Sequence, residues 1–222
     1  MNDKFELKLP EHKRATAARS EIYKILSGIF IFPSDGQQKN FVLQGAGVAL
    51  REAASELPFG VPSIESLGPG YASMAADDDD LEVTYTSLFD NCTGKSALSL
   101  YEKDYSTKDT KQIWEDLIRF YEHFGLHYDL AKCKEWPDHI STQLEFLHYL
   151  TFLEAGAPDD MVDVYMAAES DFLERHVVEW IPKFSEKLLA MAEDSPYAGL
   201  SQVLAQFVEE EMEFNRRRRT IQ

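Results

Sequence analysis

The 222-residue chain reads as an all-α protein, a single compact domain of roughly eight to ten helices. Three observations predict this. Apolar residues recur at three- and four-residue spacing in one segment after another, which gathers them on one helical face. Asp, Pro and Gly punctuate those segments where helices start and stop. No stretch alternates with period two for long enough to make a strand, and no fixed-period repeat marks a solenoid.

Taken in order, residues 16–31 carry Ala17, Ile22, Ile25, Leu26 and Ile29 at helical spacing, and Pro33 ends the run. Residues 40–57 carry Phe41, Leu43, Val48, Leu50 and Ala54 in a weaker helix, because Gly45 and Gly47 add backbone entropy to be lost. Gly and Pro spread through residues 58–71 predict a loop. The aspartates at 77–80 precede Leu81, Val83, Tyr85, Leu88 and Phe89, so they read as an acidic first turn facing the positive dipole end rather than a metal site. Residues 90–107 break the pattern but hold Leu98, Leu100, Tyr101 and Tyr105. Long irregular segments in compact domains are often functional, which makes this the first candidate site.

Asp109 is positioned to cap a helix bearing Ile113, Trp114, Leu117, Ile118, Tyr121 and Phe124, closed by Gly125. Asp138, after Pro137, is expected to cap another bearing Ile140, Leu144, Leu147, Tyr149 and Leu150, closed by Gly156. Pro158, Asp159 and Asp160 open a helix through Val162, Tyr165, Met166, Phe172 and Leu173 toward Trp180. One more follows Pro182 through Phe184, Leu188 and Met191. The last starts near Ser195, passes Leu200, Leu204 and Phe207, and runs into residues 209–213. The expected organisation is an N-terminal arm at 1–14, a helical domain at 15–213 and a basic tail at 214–222, with Arg216, Arg217, Arg218 and Arg219 as a solvated cluster.

Lys and Arg number 22 against 39 Asp and Glu, a formal charge of −17. Such a field repels phosphate backbones and anionic lipid, so nucleic acid and stable membrane association are not expected, and a cation, a basic peptide or an apolar group is. Most of the acidic surplus, including 77–80 and 209–213, is expected to serve solubility. The longest apolar run, around residues 26–32, is interrupted by Ser27 and Gly28 and falls short of the roughly 20 residues of a span. The first fourteen residues mix both charge signs and lack an apolar export core, so a cytoplasmic location is expected. Cys92 and Cys133 form no CxxC pair, and both are expected to be small buried or half-buried side chains.

Catalytic templates fit poorly. Gly94-Lys95-Ser96 suggests a phosphate loop, but Phe89 stands where its first glycine is required and a helix precedes it. A guanine nucleotide bound there in another mode stays open. No GxSxG or HExxH occurs. Glu145 and His148 make one Glu-x-x-His pair, whereas di-iron bundles need two such motifs and two more glutamates. A metal-dependent helical-bundle enzyme built on this pair is the alternative function; otherwise no catalytic residue, metal site or cofactor is read. Glu135-Trp136-Pro137-Asp138-His139-Ile140 stands apart. Beside the Asp138 cap, His139 in a helix first turn faces the positive dipole end, which favours a neutral ring able to hydrogen-bond a peptide or a guanidinium.

Trp136-Pro137-Asp138-His139-Ile140 followed by Leu144-Glu145-Phe146-Leu147 resembles the PDH signature and following helix of the TorD/DmsD/NarJ family of redox-enzyme maturation chaperones. Tyr85-Thr86-Ser87-Leu88-Phe89 resembles that family's aromatic-x-x-Leu-Phe helix end, Leu100-Tyr101-Glu102 its Pro-Tyr-Glu element, and His176, Trp180, Pro182 and Phe184 its His-x-x-x-Trp-x-Pro-x-Phe segment. The four stretches keep the family's order and span most of the chain.

The resemblance implies a cytoplasmic all-helical chaperone for a molybdenum enzyme of the DMSO reductase family. It would bind the twin-arginine leader or an N-terminal segment of the catalytic subunit, hold it from early export and favour cofactor insertion, as a monomer or a dimer. Carried over by position, Tyr85, Leu88, Phe89, Asp138 and His139 match leader-binding positions, and Tyr101 and Glu102 match the signature loop. Glu102, Asp104 and Asp138 are the carboxylates expected to meet guanidinium groups. The loop departs from the Pro-rich form of many relatives; Ser99-Leu100-Tyr101-Glu102-Lys103-Asp104-Tyr105 looks most like the type II branch, whose clients include dimethylsulfide, ethylbenzene, selenate and chlorate enzymes.

Overall fold

A computed structural model describes residues 10–67, 78–90, 97–129, 132–133 and 135–220. Among them are ten α-helices and no named strand: α1 Glu11–Ile29, α2 Gly36–Asn40, α3 Ala46–Ala54, α4 Pro62–Ser66, α5 Asp78–Phe89, α6 Thr110–His123, α7 Ile140–Gly156, α8 Val162–His176, α9 Ile181–Ala192 and α10 Pro196–Thr220. The all-α class is as the periodicity predicted.

Helix α7 is the hub. Ile140, Leu144, Phe146, Leu147, Leu150 and Thr151 are buried on nearly every side, because α1 runs along it and α8 packs beside it. Helix α6 shows the one-sided pattern instead, with Ile113, Leu117 and Tyr121 inward at successive turns. The expected helix over 40–57 is a composite. Asp35 caps α2 by accepting from the Gln38 amide (2.8 Å), and a π-helical turn, Phe41–Gly45, joins α2 to α3. A Cβ on Gly45 would lie 3.3 Å from the Phe41 ring, which is why the glycine sits there. The loop expected over 58–71 contains the short α4, opened by Pro62 at its start.

Arg19 is fully buried and binds three glutamates on three helices: Glu154 of α7 (2.9 Å), Glu211 of α10 (2.6 Å) and Glu169 of α8. Arg218 of α10 also pairs with Glu154. Burial raises the Glu169 carboxyl well above the usual carboxylate range, and Arg19 only partly opposes it. The acidic run at 209–213 therefore does more than solubilise, since Glu211 points inward. Residues set apart by sequence as arm and tail are in part helical: α1 begins at Glu11, and α10 continues to Thr220 with Arg218 half-buried. Cys133 is exposed, contrary to expectation, whereas Cys92 and Gly94-Lys95-Ser96 lie outside the described residues.

Candidate functional site

The signature loop and the start of α7 meet through backbone. Tyr101 and His139 form an isolated antiparallel bridge in which the Glu102 amide donates to the Asp138 carbonyl (3.0 Å) and the Ile140 amide to the Leu100 carbonyl (2.9 Å). The Tyr101 and His139 rings then meet edge to face at 4.9 Å. Two segments nearly forty residues apart are thus locked in register, and the loop's course is fixed from that point.

Beside this bridge opens a pocket of about 530 Å³, lined by Phe32, Tyr85, Phe89, Leu98, Leu100, Tyr101 and His139, with Asp90, Asp104, Glu135 and Lys103 as its charged members. Its back wall is aromatic. Phe89 packs on Tyr85 (5.0 Å), Tyr197 (5.3 Å) and Phe184 (6.3 Å), and the Tyr85 hydroxyl donates to the Phe30 carbonyl (3.2 Å). At the mouth the Tyr101 hydroxyl donates to exposed Glu135 (2.7 Å), and the Lys103 ammonium lies 4.8 Å from the Tyr101 ring centre. Burial raises the Tyr85 and Tyr101 hydroxyls above the usual phenol range, so both stay neutral donors.

Four of the sequence-derived residues, Tyr85, Phe89, Tyr101 and His139, come together on this pocket. Leu88, Glu102 and Asp138 do not line it; all three are buried behind it. Asp138 is not the helix cap. Its oxygens accept from the Trp114 indole N–H (2.7 Å) and the Lys103 amide (3.2 Å), so its side chain is drawn toward α6 and the loop. His139 caps α7 instead: its Nδ1 accepts from the Ser141 amide (3.3 Å) and lies 2.6 Å from the Ser141 hydroxyl. Burial, partly opposed by Glu135, lowers the His139 pKa to about 4, so the ring is neutral as expected, with desolvation as the main cause.

Glu102 is the second buried carboxylate. It accepts from Gln143 Nε2 (2.6 Å) and faces His176 Nδ1 (3.1 Å), while the Trp180 indole donates to Gln143 Oε1 (3.1 Å). The His-x-x-x-Trp segment thereby supports the signature loop from below. The carboxylates that do face the pocket are Asp90, Asp104 and Glu135. Sequence reasoning weighed only Asp104 of these. Glu135 stands three residues before Asp138, and its adjacency to Trp136-Pro137-Asp138-His139 was the available signal. Phe32 is 44 % exposed just past α1, with nothing in its local pattern to mark it.

The Glu145/His148 pair stays apart from this pocket. Glu145 is exposed, and His148 Nδ1 lies 2.9 Å from the Ser20 hydroxyl of α1. Among the described residues no three His, Cys, Asp or Glu side chains converge to hold a metal, and no helix is long and apolar enough to cross a membrane.

The fold and site are those of a helical protein with an aromatic pocket bordered by carboxylates, an arrangement suited to binding. A family model described as nitrate reductase delta subunit matches residues 46–186. A chlorate reductase assembly chaperone protein of Ideonella dechloratans and a selenate reductase assembly chaperone protein of Thauera selenatis are each 36% identical over 143 residues, covering 63% of this chain and 72% of each relative. A chaperone protein TorD of Vibrio parahaemolyticus is 27% identical over 154 residues, covering 66% of this chain and 70% of that protein. The chain belongs to this family, the TorD/DmsD/NarJ molybdoenzyme chaperones, and is not an enzyme.

Proposed function

We propose that the protein is a system-specific cytoplasmic chaperone that binds the twin-arginine leader or N-terminal segment of a reductase catalytic subunit of the DMSO reductase family, keeping it from early export while the molybdenum cofactor is inserted. The observation that carries this reading is the pocket of about 530 Å³, where the signature residues Tyr85, Phe89, Tyr101 and His139 meet a mouth of Asp90, Asp104 and Glu135. A leader has a basic segment followed by an apolar one. Glu135, Asp104 and Asp90 suit the guanidinium groups, through charge-assisted hydrogen bonds. Phe32, Tyr85, Phe89, Leu98, Leu100 and Tyr101 suit the apolar part. Leu88, Glu102 and Asp138 contribute from behind by fixing the wall. The relatives' reductase clients support a client of the same kind.

The test is fluorescence anisotropy with a labelled leader from the neighbouring molybdoenzyme. An Arg-Arg leader binds, a version with both arginines replaced by alanine binds at least ~10-fold more weakly, and Glu135→Gln weakens the former by about the same factor without altering the fold. Absence of binding to any leader or N-terminal segment of that enzyme overturns the reading, as does binding indifferent to both changes.

A further inference from the structure

A second groove lies on another face, where α6, α8 and the end of α10 meet. It encloses about 730 Å³ and has an apolar floor of Phe120, Phe124, Val164, Ala167 and Ala168. Val164 is 47 % exposed there, and the two alanines leave the floor open. A smaller hollow of about 340 Å³ shares Asp116, Arg119 and Arg175 with it and extends it toward Lys108 and Gln112. From Gln112 to His123 the groove follows α6 for roughly 16 Å, about three helical turns.

Its charges are unusual for a chain of net charge −17. Each acid lining the two hollows is already engaged: Asp116 by Arg175 and His176 (3.0 Å), Asp171 by Arg175 (3.1 Å), Glu174 by Arg216 (3.8 Å) and Glu115 by Lys111 (3.7 Å). Arg119 and Arg219, both exposed, have no carboxylate partner among the described residues, and Arg219 donates only to the Ser170 hydroxyl (3.3 Å). Arg175 spreads its guanidinium over the Phe120 ring at 5.2 Å. Two guanidinium groups without a carboxylate partner among the described residues thus flank an apolar floor, on a protein of net charge −17.

We propose that this groove docks an acidic amphipathic helical segment of a partner protein, its apolar face on Phe120, Phe124 and Val164 and its carboxylates on Arg119 and Arg219. The roughly 16 Å course of the two joined hollows along α6 takes about three turns of a helix laid in a groove, and the arginine fork matches a carboxylate. The signature pocket carries three carboxylates to one lysine, whereas in this groove the two arginines without a carboxylate partner are the groups left to pair, so on the function proposed above one chaperone takes a basic segment at one face and an acidic one at another.

The experiment uses the full chain and a labelled helical peptide of about four turns, with Leu at i, i+3, i+4 and i+7 and Glu on both flanks. The expected result is saturable binding that weakens with added NaCl, is lost when Glu is replaced by Lys, and falls at least ~10-fold in an Arg119→Glu/Arg219→Glu double variant. Both positions are exposed, and unchanged circular dichroism and leader-peptide affinity in the double variant confirm that fold and signature pocket survive. No binding below about 1 mM overturns the proposal, as does equal binding by Lys and Glu peptides or by the double variant. Displacement of the peptide by an equal concentration of inorganic pyrophosphate overturns it in favour of a small-anion site.

Discussion

Helix α7 carries a buried polar network at each end, and the two are built on different principles. At its C-terminal end Glu154 joins Glu169 and Glu211 around Arg19, so charge meets charge with almost no exposure to water. At its N-terminal end Asp138 and Glu102 are met by an indole N–H, a backbone amide and a side-chain amide, with His176 beside Glu102. The first network clamps α1, α8 and α10 onto α7. The second fixes the course of the signature loop and so the shape of the pocket. Buried carboxylates clamp helices together at one end and shape the pocket at the other, and the donors that meet them differ accordingly.

The sharpest way to break that contrast is Arg19→Ala. It leaves buried carboxylates without their cation, and removing one partner of a buried pair costs about 3–5 kcal/mol. Urea unfolding should show a loss of that size, while leader affinity per folded molecule, read by anisotropy in the absence of denaturant, stays within about twofold. A large loss of affinity in the folded variant would mean that the two ends of α7 act as one unit.

How far each network could be read from sequence follows from its range. Helices α1, α6, α7 and α9 were legible because their apolar spacing is local, and part of the pocket because three of the four ordered motifs place Tyr85, Phe89, Leu100, Tyr101 and His139 on it. The Arg19 cluster was not: its partners lie 135, 150 and 192 residues away, and Arg19 beside Ser20 and Glu21 looks like a solvent face. The Asp138 cap failed for a related reason. Asp138 and His139 both carry an acceptor that can cap a helix, and the distant Trp114 indole and Lys103 amide decide between them. Phe32 reaches the pocket because α1 ends there, which no local pattern announces.

The second-largest effect is on pH dependence. His139 has a folded pKa of about 4 against an ordinary value of 6.5. Below pH 6.5 the unfolded chain takes up a proton that the folded chain refuses, so this contribution is fully present above pH 6.5 and lost as pH falls through 4. The full window amounts to about 3 kcal/mol. Urea midpoints measured between pH 7 and pH 4 should decline in the wild type and decline less in His139→Asn, which keeps a capping acceptor without the titration. Equal slopes in both proteins would show that the imidazole is hydrated in the folded state.

The smallest effect separates wall from mouth. In Asp138→Asn one amide oxygen can still accept from Trp114, but the amide N–H₂ then faces the Lys103 amide, donor against donor. Burial raises the Asp138 carboxyl above its usual range, so the neutral amide avoids some desolvation and the net cost should be about 1–2 kcal/mol. Because Lys103 belongs to the loop that carries Tyr101, the Tyr101–Glu135 contact at the mouth should shift with it. The variant is therefore expected to lose both a little stability and several-fold in leader affinity, whereas Glu135→Gln loses affinity alone. If Asp138→Asn changes stability with affinity intact, the N-terminal network is a clamp like the one at Arg19, and the contrast between the two ends of α7 disappears.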